Sequence, residues 1–266
     1  MSDSQSYFST NKATWNQKVK IHAESNMYDL KGFKSGKCSL MKYELEALGE
    51  VDGKSLLHLQ CHFGLDTLSW SRRGAKCTGV DISDEGIALA KELNKELELD
   101  AKFVCCNVLD TSDQVKELFD IVFTSYGVIG WLPDLKPWAK MIAERLRSGG
   151  TFFIAEFHPI VWMFDYQESP PKMVYGYDQD DPIYEEYQGT YADESSKMIS
   201  KEYGWNHGLA EVISALIDAG LIIESFHEHH ESPYNVLPNL NKTSSGMYAM
   251  HDQLYPLIFT LKARKP

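Results

Sequence analysis

The feature that most constrains this chain is a regular alternation of short apolar runs and helix-forming segments between residues 50 and 160. Segments with helical spacing, such as LPDLKPWAKMIAERLRSGG, separate five apolar runs: KSLLHLQ, AKCTGVD, AKFVCCN, FDIVFTSY and TFFIAEF. Uninterrupted apolar runs are typical of strands that are covered on both faces. Strands that alternate with helices form parallel sheets with right-handed crossovers. The pattern therefore predicts an α/β fold with a doubly wound, Rossmann-like sheet.

The alternation breaks after the fifth strand and then resumes. Residues 159–204 are rich in Tyr, Asp, Glu and Pro, and pieces such as KMVYGY and YEEYQGTYAD favour a β-rich insertion. A helix follows at NHGLAEVISALIDAG, then strands at LIIESFHEH and LYPLIFTLKARK with no helix between them. Parallel neighbours need a long crossover, so the last strand is expected to be antiparallel. The result is a seven-stranded, mostly parallel sheet with a β-rich insertion after the fifth strand.

Charge and composition restrict the class of partner and the location. The formal net charge is −12, which argues against a broad phosphate-binding face and hence against nucleic acid. The first residues, MSDSQSYFSTNKATWNQ, lack the basic start and apolar core of a secretory signal. No apolar run approaches a membrane span. The five cysteines form no zinc motif and are interpreted as reduced thiols of a cytoplasmic protein.

The loop after the first strand, in LLHLQCHFG, is the first candidate ligand site. In open α/β sheets, ligands bind beyond the carboxyl ends of the strands, and an acidic residue about 20 positions onward commonly binds a ribose. Asp81 lies 21 residues after Gln60 and fits that role. The loop keeps only Gly64, with His62 at a position where glycine would let a pyrophosphate approach. A nicotinamide-dependent oxidoreductase, which needs G-x-G-x-x-G, is therefore the less favoured alternative.

Two further strand ends add candidates to this edge. Asn107 follows the third strand, where it could edge an adenine pocket or simply form a turn, and the two interpretations are left open. Ser125 and Tyr126 end the fourth strand and are expected to form the floor between cofactor and substrate.

These stretches together resemble the class I S-adenosylmethionine-dependent methyltransferases of the small-molecule type. The likeness rests on LLHLQCHFG, GVDIS, FVCCNVLD, FDIVFTSYGVIGWLPDL and LRSGGTFFIAEFHP, and it covers residues 50–160 together with the last two strands. It implies S-adenosyl-L-methionine as cofactor. The residues it carries over are Gln60, Cys61, His62 and Gly64 beside the methionine part, Asp81 at the ribose, Ile82, Asn107 and Val108 at the adenine, and Ser125 and Tyr126 beside the methionine. The chain departs from the usual motif at His58, Gln60 and His62, where an acid and two glycines are common.

The resemblance also implies a domain organisation. Residues 1–49 are predicted to be a helical segment that covers the cofactor site, although YDLKGFKSGKCS is expected to be a loop. Trp15, His22 and Tyr28 would fold over the cofactor or, equally well, pack on the domain. Residues 50–266 would form the methyltransferase domain, with 159–204 as an inserted lid or, alternatively, a surface excursion without a role.

Methyl transfer is an in-line displacement that needs an aligned nucleophile, and a base only if the acceptor must lose a proton. The candidate bases are His158 and His207, followed by His62 and Glu156, and each has a structural alternative. The HEHH run is interpreted as a solvated strand end rather than a metal site, since only His227 and His229 share a strand face. A small-molecule acceptor is expected. The alternative is a non-catalytic module that binds S-adenosylmethionine for regulation. The oligomeric state is not readable from the sequence.

Overall fold

The computed structural model describes residues 3–165, 172–238 and 240–266. The helices of these segments are α1 (Asp3–Glu24), α2 (Leu30–Lys34), α3 (Lys42–Leu48), α4 (Leu65–Arg72), α5 (Asp84–Glu96), α6 (Thr111–Gln114), α7 (Leu135–Arg145) and α8 (Leu209–Asp218). The strands are β1 (Ser55–Leu59), β2 (Lys76–Asp81), β3 (Lys102–Cys105), β4 (Phe119–Ser125), β5 (Leu146–Phe157), β6 (Phe164–Asp165), β7 (Lys172–Met173), β8 (Gln179–Gln188), β9 (Ile199–Asn206), β10 (Ile222–His229), β11 (Glu231–Ser232), β12 (Asn241–Lys242), β13 (Tyr248–Ala249) and β14 (Ile258–Arg264). Short 3₁₀ turns follow three of the strands, at Val108–Asp110, Ile129–Trp131 and Pro159–Met163.

The central sheet has seven strands in the order β10-β14-β5-β4-β1-β2-β3. Strands β1 to β5 are parallel, whereas β14 lies antiparallel between β5 and β10. The doubly wound fold and the antiparallel last strand are thus confirmed. Strand order reverses beside β1, so the ends of β1, β2 and β4 meet at one place on the carboxyl edge, which is where such sheets bind ligands.

Alternate side chains of each strand enter two separate cores. Leu57 of β1 and Val122 of β4 face α7 and α8, where Trp138 is fully buried. Leu56 and Phe123 point the other way, towards α4 and α5. Burial on both faces explains why the strands read as continuous apolar runs rather than as alternating ones.

The insertion is β-rich, as the sequence indicates. Its main part is the antiparallel hairpin β8–β9, and β6 pairs with β7. Residues 166–171 of the insertion lie outside the described residues. Strand β9 continues to Asn206, slightly beyond the expected end of the insertion.

One local expectation is wrong, because the segment YDLKGFKSGKCS contains helix α2. The carboxylate of Asp29 caps this helix by accepting a hydrogen bond from the backbone N–H of Gly32 at 3.1 Å. Phe33 is buried in the core beside α4 and holds the turn in place. Tertiary packing therefore overrides the weak helical pattern of a five-residue segment.

Candidate functional site

The loops after β1 and β4 have an unusual backbone. Gln60, His62 and Tyr126 adopt left-handed conformations, with φ of 54°, 51° and 44°. Such conformations are uncommon in residues other than glycine, and they cluster at functional sites. Gly64 also has positive φ, and a Cβ there would lie 2.7 Å from the ring of Phe103. The one glycine that the first loop keeps is therefore required by packing.

Asp81 holds the first loop from the end of β2. Its Oδ2 accepts a hydrogen bond from the backbone N–H of His62 at 2.7 Å, and its Oδ1 accepts one from Ser83 at 2.8 Å. Burial raises the pKa of Asp81 to about 6. Each carboxylate oxygen accepts more than one hydrogen bond, so Asp81 can position the loop and still receive the two hydroxyls of a ribose.

The expected adenine edge is partly used by the fold itself. The Oδ1 of Asn107 accepts a hydrogen bond from the backbone N–H of Leu109 at 3.0 Å and begins the 3₁₀ turn. The turn-forming role is therefore present, and the adenine contact stays a prediction. Val108 is buried in the core, whereas Ile82 is half-buried at the end of β2. Cys61 points its side chain into the core beside Gly79 and Phe103, so only its backbone faces the edge.

Two acidic residues that the sequence analysis missed lie beside Ser125 and Tyr126. The hydroxyl of Ser125 is 3.4 Å from Oδ2 of Asp66, and the phenol of Tyr126 donates to Glu44 at 3.0 Å. Burial and the charge of Asp66 raise the pKa of Glu44 to about 7. Burial likewise raises the pKa of Asp66. Both acids lie in short helices, α3 and α4, where a carboxylate is usually interpreted as part of a solvated face.

We refer to the carboxylates of Glu44, Asp66 and Asp81 together as the acidic chamber, because the charge of Asp66 acts on Glu44 and the charges of Asp66 and Asp81 both act on Tyr28. In the described part of the chain, no Lys or Arg forms an ion pair with any of the three. Asp66 and Asp81 keep part of their surface accessible. A cationic ligand would stabilise the charged form of carboxylates that have a raised pKa and no protein cation beside them.

A group of aromatic and imidazole rings covers the first loop. The Nδ1 of His22, from α1, lies 2.9 Å from Nε2 of His62. The ring of Trp15 lies 5.1 Å from that of His62, and the ring of Tyr28 lies 5.4 Å from it. The N-terminal aromatic residues therefore pack over the loop. Among the described residues, Nδ1 of His62, Nε2 of His22 and Oε1 of Gln60 are buried without a hydrogen-bond partner.

Lys18 is a second residue that the sequence analysis missed. Its side chain is 1% exposed and forms an ion pair with Glu202 of β9. Its ammonium lies 4.9 Å from the ring centre of Trp15, 5.6 Å from that of Trp131 and 5.6 Å from that of Tyr191. A lysine in a weakly periodic polar helix is normally assigned to the surface, so only the spacing of Trp15, Lys18 and His22 on one helix face could have found it.

The histidines predicted as bases have both ring nitrogens occupied. His158 accepts from the backbone N–H of Ile160 at 3.3 Å, and its Nε2 lies 2.8 Å from Glu228. His207 lies 2.9 Å from Glu211 and 2.7 Å from the carbonyl oxygen of Leu132. In the described part of the chain, these contacts do not connect either histidine to the first loop, and their catalytic role stays a prediction.

Glu156 anchors the loop after β4. Its carboxylate accepts hydrogen bonds from four backbone N–H groups, those of Gly127, Val128, Ile129 and Phe157. Burial raises its pKa, and these four donors act in the opposite direction. With its acceptor positions engaged in this way, Glu156 positions the floor of the site.

The rings of His227 and His229 are 6.3 Å apart on one face of β10. Within residues 3–165, 172–238 and 240–266, no group of three potential ligands is placed to hold a metal ion. In the same residues, no helix combines the length and the apolar composition that a membrane crossing needs.

Comparison with known proteins identifies the central part of the chain. A family profile described as "Methyltransferase domain" matches residues 57–154, the segment from β1 to β5 whose strand ends carry the site. Residues 57–154 therefore form a methyltransferase domain. The ubiquinone biosynthesis O-methyltransferase of Idiomarina loihiensis is 30% identical to it over 103 residues, which are 39% of this chain and 42% of that relative. The chain thus matches less than half the length of this curated relative.

Solved structures agree with the fold of the methyltransferase domain. An S-adenosylmethionine-dependent methyltransferase from Clostridium acetobutylicum superposes with a TM-score of 0.60 at 14% identity, covering 94% of this chain and 98% of the other. One from Mesorhizobium loti gives a TM-score of 0.56 at 17% identity, covering 87% and 100%. At these identities the likeness concerns the fold.

Proposed function

We propose that this protein is an S-adenosyl-L-methionine-dependent methyltransferase that acts on a small molecule. The observation that carries the proposal is the acidic chamber at the carboxyl edge of the methyltransferase domain. S-adenosylmethionine carries a sulfonium and an ammonium group, and both would be stabilised beside carboxylates without protein cations. The pyrophosphate of a nicotinamide cofactor would meet like charges there, which disfavours the oxidoreductase alternative.

The roles of the individual residues belong to the same proposal. Asp81 receives the ribose hydroxyls, and Ile82, Asn107 and Val108 border the adenine. The remaining cofactor residues face the methionine part: Gln60, the backbone of Cys61, His62, Gly64, Ser125 and Tyr126. The unpartnered Oε1 of Gln60 supports this assignment, because a buried acceptor without a donor is costly unless a ligand supplies one.

When bound, the cofactor supplies an electrophilic methyl group. The chain supplies orientation and a water-poor surrounding. Trp15 and Trp131, whose ring centres are 5.2 Å apart, form an apolar wall above the first loop. We propose that residues 1–49 cover the cofactor site and that the insertion serves as a lid, since Tyr191 of the insertion contacts His22 of α1 at 3.4 Å.

The acceptor is proposed to be a small molecule, and the protein is proposed to be cytoplasmic and not to bind nucleic acid. The net charge of −12 supports the absence of a polyanion partner. The aromatic rings packed around the buried Lys18 favour a compact acceptor over a macromolecular surface. The curated relative is an O-methyltransferase, which is consistent with this class of reaction.

Calorimetry with S-adenosylmethionine, S-adenosylhomocysteine and NAD tests the cofactor. We expect the first two to bind and NAD not to bind. Asp81→Asn should weaken binding roughly 10- to 100-fold, because it removes a charged acceptor of hydrogen bonds worth about 1.5–3 kcal/mol. Asp252→Asn, at an exposed position, is the matched control. Binding of NAD alone would refute the methyltransferase function, and unchanged affinity in Asp81→Asn would refute the ribose role.

A transfer assay separates the enzyme from the regulatory alternative. The protein would be incubated with methyl-labelled S-adenosylmethionine and a small-molecule extract of the source cells. Label should appear in a small molecule, and S-adenosylhomocysteine should accumulate. Tight cofactor binding without transfer would instead favour the non-catalytic module.

A further inference from the structure

Two histidines meet above the first loop in an arrangement that neither the family match nor the similar structures assign. His22 comes from α1 and His62 from the loop after β1, and Nδ1 of the first lies 2.9 Å from Nε2 of the second. Each ring leaves its other nitrogen buried and without a partner among the described residues. Buried polar atoms in native proteins are nearly always paired, so two such atoms in one contact call for a reason.

We propose that the His22–His62 pair is the proton acceptor for the methyl acceptor, whose nucleophile is therefore a neutral O–H or N–H group. This inference rests on the proposed function. A nucleophile that is already ionised, or a thioether, would need no such base.

The shared contact guarantees that one lone pair is always available. If His62 donates from Nε2, its Nδ1 is a free base and His22 keeps a proton on Nε2. If His22 donates from Nδ1, its own Nε2 is the free base. In both tautomers the pair presents one acceptor and one donor, and the bridging proton can move when the free end becomes protonated.

The surroundings keep the pair neutral, so its free nitrogen carries a lone pair, and they make the pair a weak base that readily gives up the proton it accepts. Burial and the nearby ammonium of Lys18 lower the pKa of His22 to about 3. Burial, His22 and Lys18 hold the pKa of His62 well below its usual range. The ion pair of Lys18 with Glu202 keeps this ammonium in place.

Tyrosine hydroxyls connect the pair to the exterior. The hydroxyl of Tyr191 lies 3.4 Å from Nδ1 of His22, and the hydroxyl of Tyr28 lies 2.6 Å from that of Tyr191. Tyr191 is 50% exposed, although His22 behind it is fully buried. The ring of Tyr191 is thus the part of the cover that an entering acceptor displaces, and its hydroxyl can pass the proton to water.

Methyl transfer to the acceptor conserves atoms and electrons. The bond between the acceptor heteroatom and its hydrogen breaks, and the proton moves to the free imidazole nitrogen. The heteroatom's electron pair forms the new bond to the methyl carbon. The bond from that carbon to sulfur breaks with its electrons remaining on sulfur, so a sulfonium becomes a thioether, and the proton leaves later through the tyrosines.

The test uses His22→Ala and His62→Ala with the labelled transfer assay, with His251→Ala, at an exposed histidine, as the control. We expect both variants to lose at least about 100-fold in turnover, as removal of a general base does. His22→Ala should bind S-adenosylhomocysteine as the wild type does. Added imidazole should restore part of the activity of His22→Ala, which a purely structural role would not allow.

Each other result has a distinct meaning. Wild-type turnover in either variant would overturn the proton-acceptor role. Loss of S-adenosylhomocysteine binding in His22→Ala without imidazole rescue would overturn it in favour of cofactor binding. Failure of the wild type to bind or transfer would instead reject the proposed function. Nitrogen NMR of the S-adenosylhomocysteine complex gives a reading independent of activity, because a protonated imidazolium at neutral pH would contradict a neutral pair.

Discussion

Helices α7 and α1 bury opposite kinds of side chain. Helix α7 buries Trp138, Ala139 and Ile142 against the sheet. On the inner face of α1, by contrast, the buried residues are mostly polar: Asn11, Thr14, Lys18 and His22, with Val19 as an apolar neighbour. A helix that holds a domain together is selected for apolar area, whereas one that closes a site is selected for specific polar contacts. The difference separates the supporting core of the domain from its proposed cover.

The largest expected effect is on the stability of the core below α7. Trp138→Ala should lower the free energy of unfolding by about 3–5 kcal/mol, because it leaves a cavity in the core below α7. Urea unfolding followed by circular dichroism measures this loss. A loss below about 1 kcal/mol would mean that α7 is not the support that its packing indicates.

The next largest effect on stability is expected at the buried ion pair between Lys18 and Glu202. Lys18→Met alone should destabilise the protein by about 3 kcal/mol, since it leaves Glu202 buried without its partner. The double variant Lys18→Met/Glu202→Gln should recover most of that loss. Thermal unfolding of the wild type, Lys18→Met, Glu202→Gln and the double variant gives the coupling energy. Additive losses would show that the two side chains do not depend on each other.

The acidic chamber predicts a pH dependence of opposite sign for stability and for cofactor binding. The pKa of Glu44 is raised to about 7 and that of Asp81 to about 6. At these two carboxyls the folded protein holds more protons than the unfolded chain between about pH 4 and 7, so their contribution to the stability of the free protein should fall as pH rises through this window.

A cationic cofactor favours the ionised carboxylates, so its affinity should increase roughly tenfold from pH 5.5 to 7.5 and then level off. Calorimetry in two buffers with different ionisation enthalpies should detect proton release on binding. Glu44→Gln should remove the upper part of the pH dependence. An affinity that is constant over this range would contradict the role of the chamber.

The smallest effect is expected at the seam between α1 and the hairpin. The side-chain amide of Asn11 forms two hydrogen bonds with the backbone of Tyr203, at 2.9 and 2.8 Å. Asn11→Ala should cost about 1 kcal/mol, mostly as faster hydrogen exchange in α1 and β9. Ser9→Ala, on the exposed side of α1, is the control. Equal protection in both variants would mean that the cover does not open as a unit.

The sequence was sufficient to predict the central sheet with its core and the position of Asp81 beside the first loop. Apolar runs specify β1 to β5, and the missing crossover helix specifies the direction of β14. Asp81 follows from its spacing to the first loop. These features are local or periodic, so a single sequence contains them.

The rest depends on contacts between distant segments. Asp66 meets Ser125 across 59 positions, and Lys18 meets Glu202 across 184. A buried polar helix face lacks the apolar period that marks a buried surface, so α1 resembles a solvent-exposed helix until its partners are known. The same limitation hides the His22–His62 contact, since neither residue carries a local signal for the other.

The seam between α1 and β9 also has a consequence for solubility. The side chains of Asn11 and Thr14 form hydrogen bonds with the backbone N–H and C=O groups of Tyr203 and Lys201, respectively. These bonds occupy the edge of β9 that does not pair with β8. An uncovered strand edge is a template for pairing with another chain. If α1 lifts to admit a ligand, as its proposed role as a cover requires, that edge would be exposed, and each opening would create a brief opportunity for self-association.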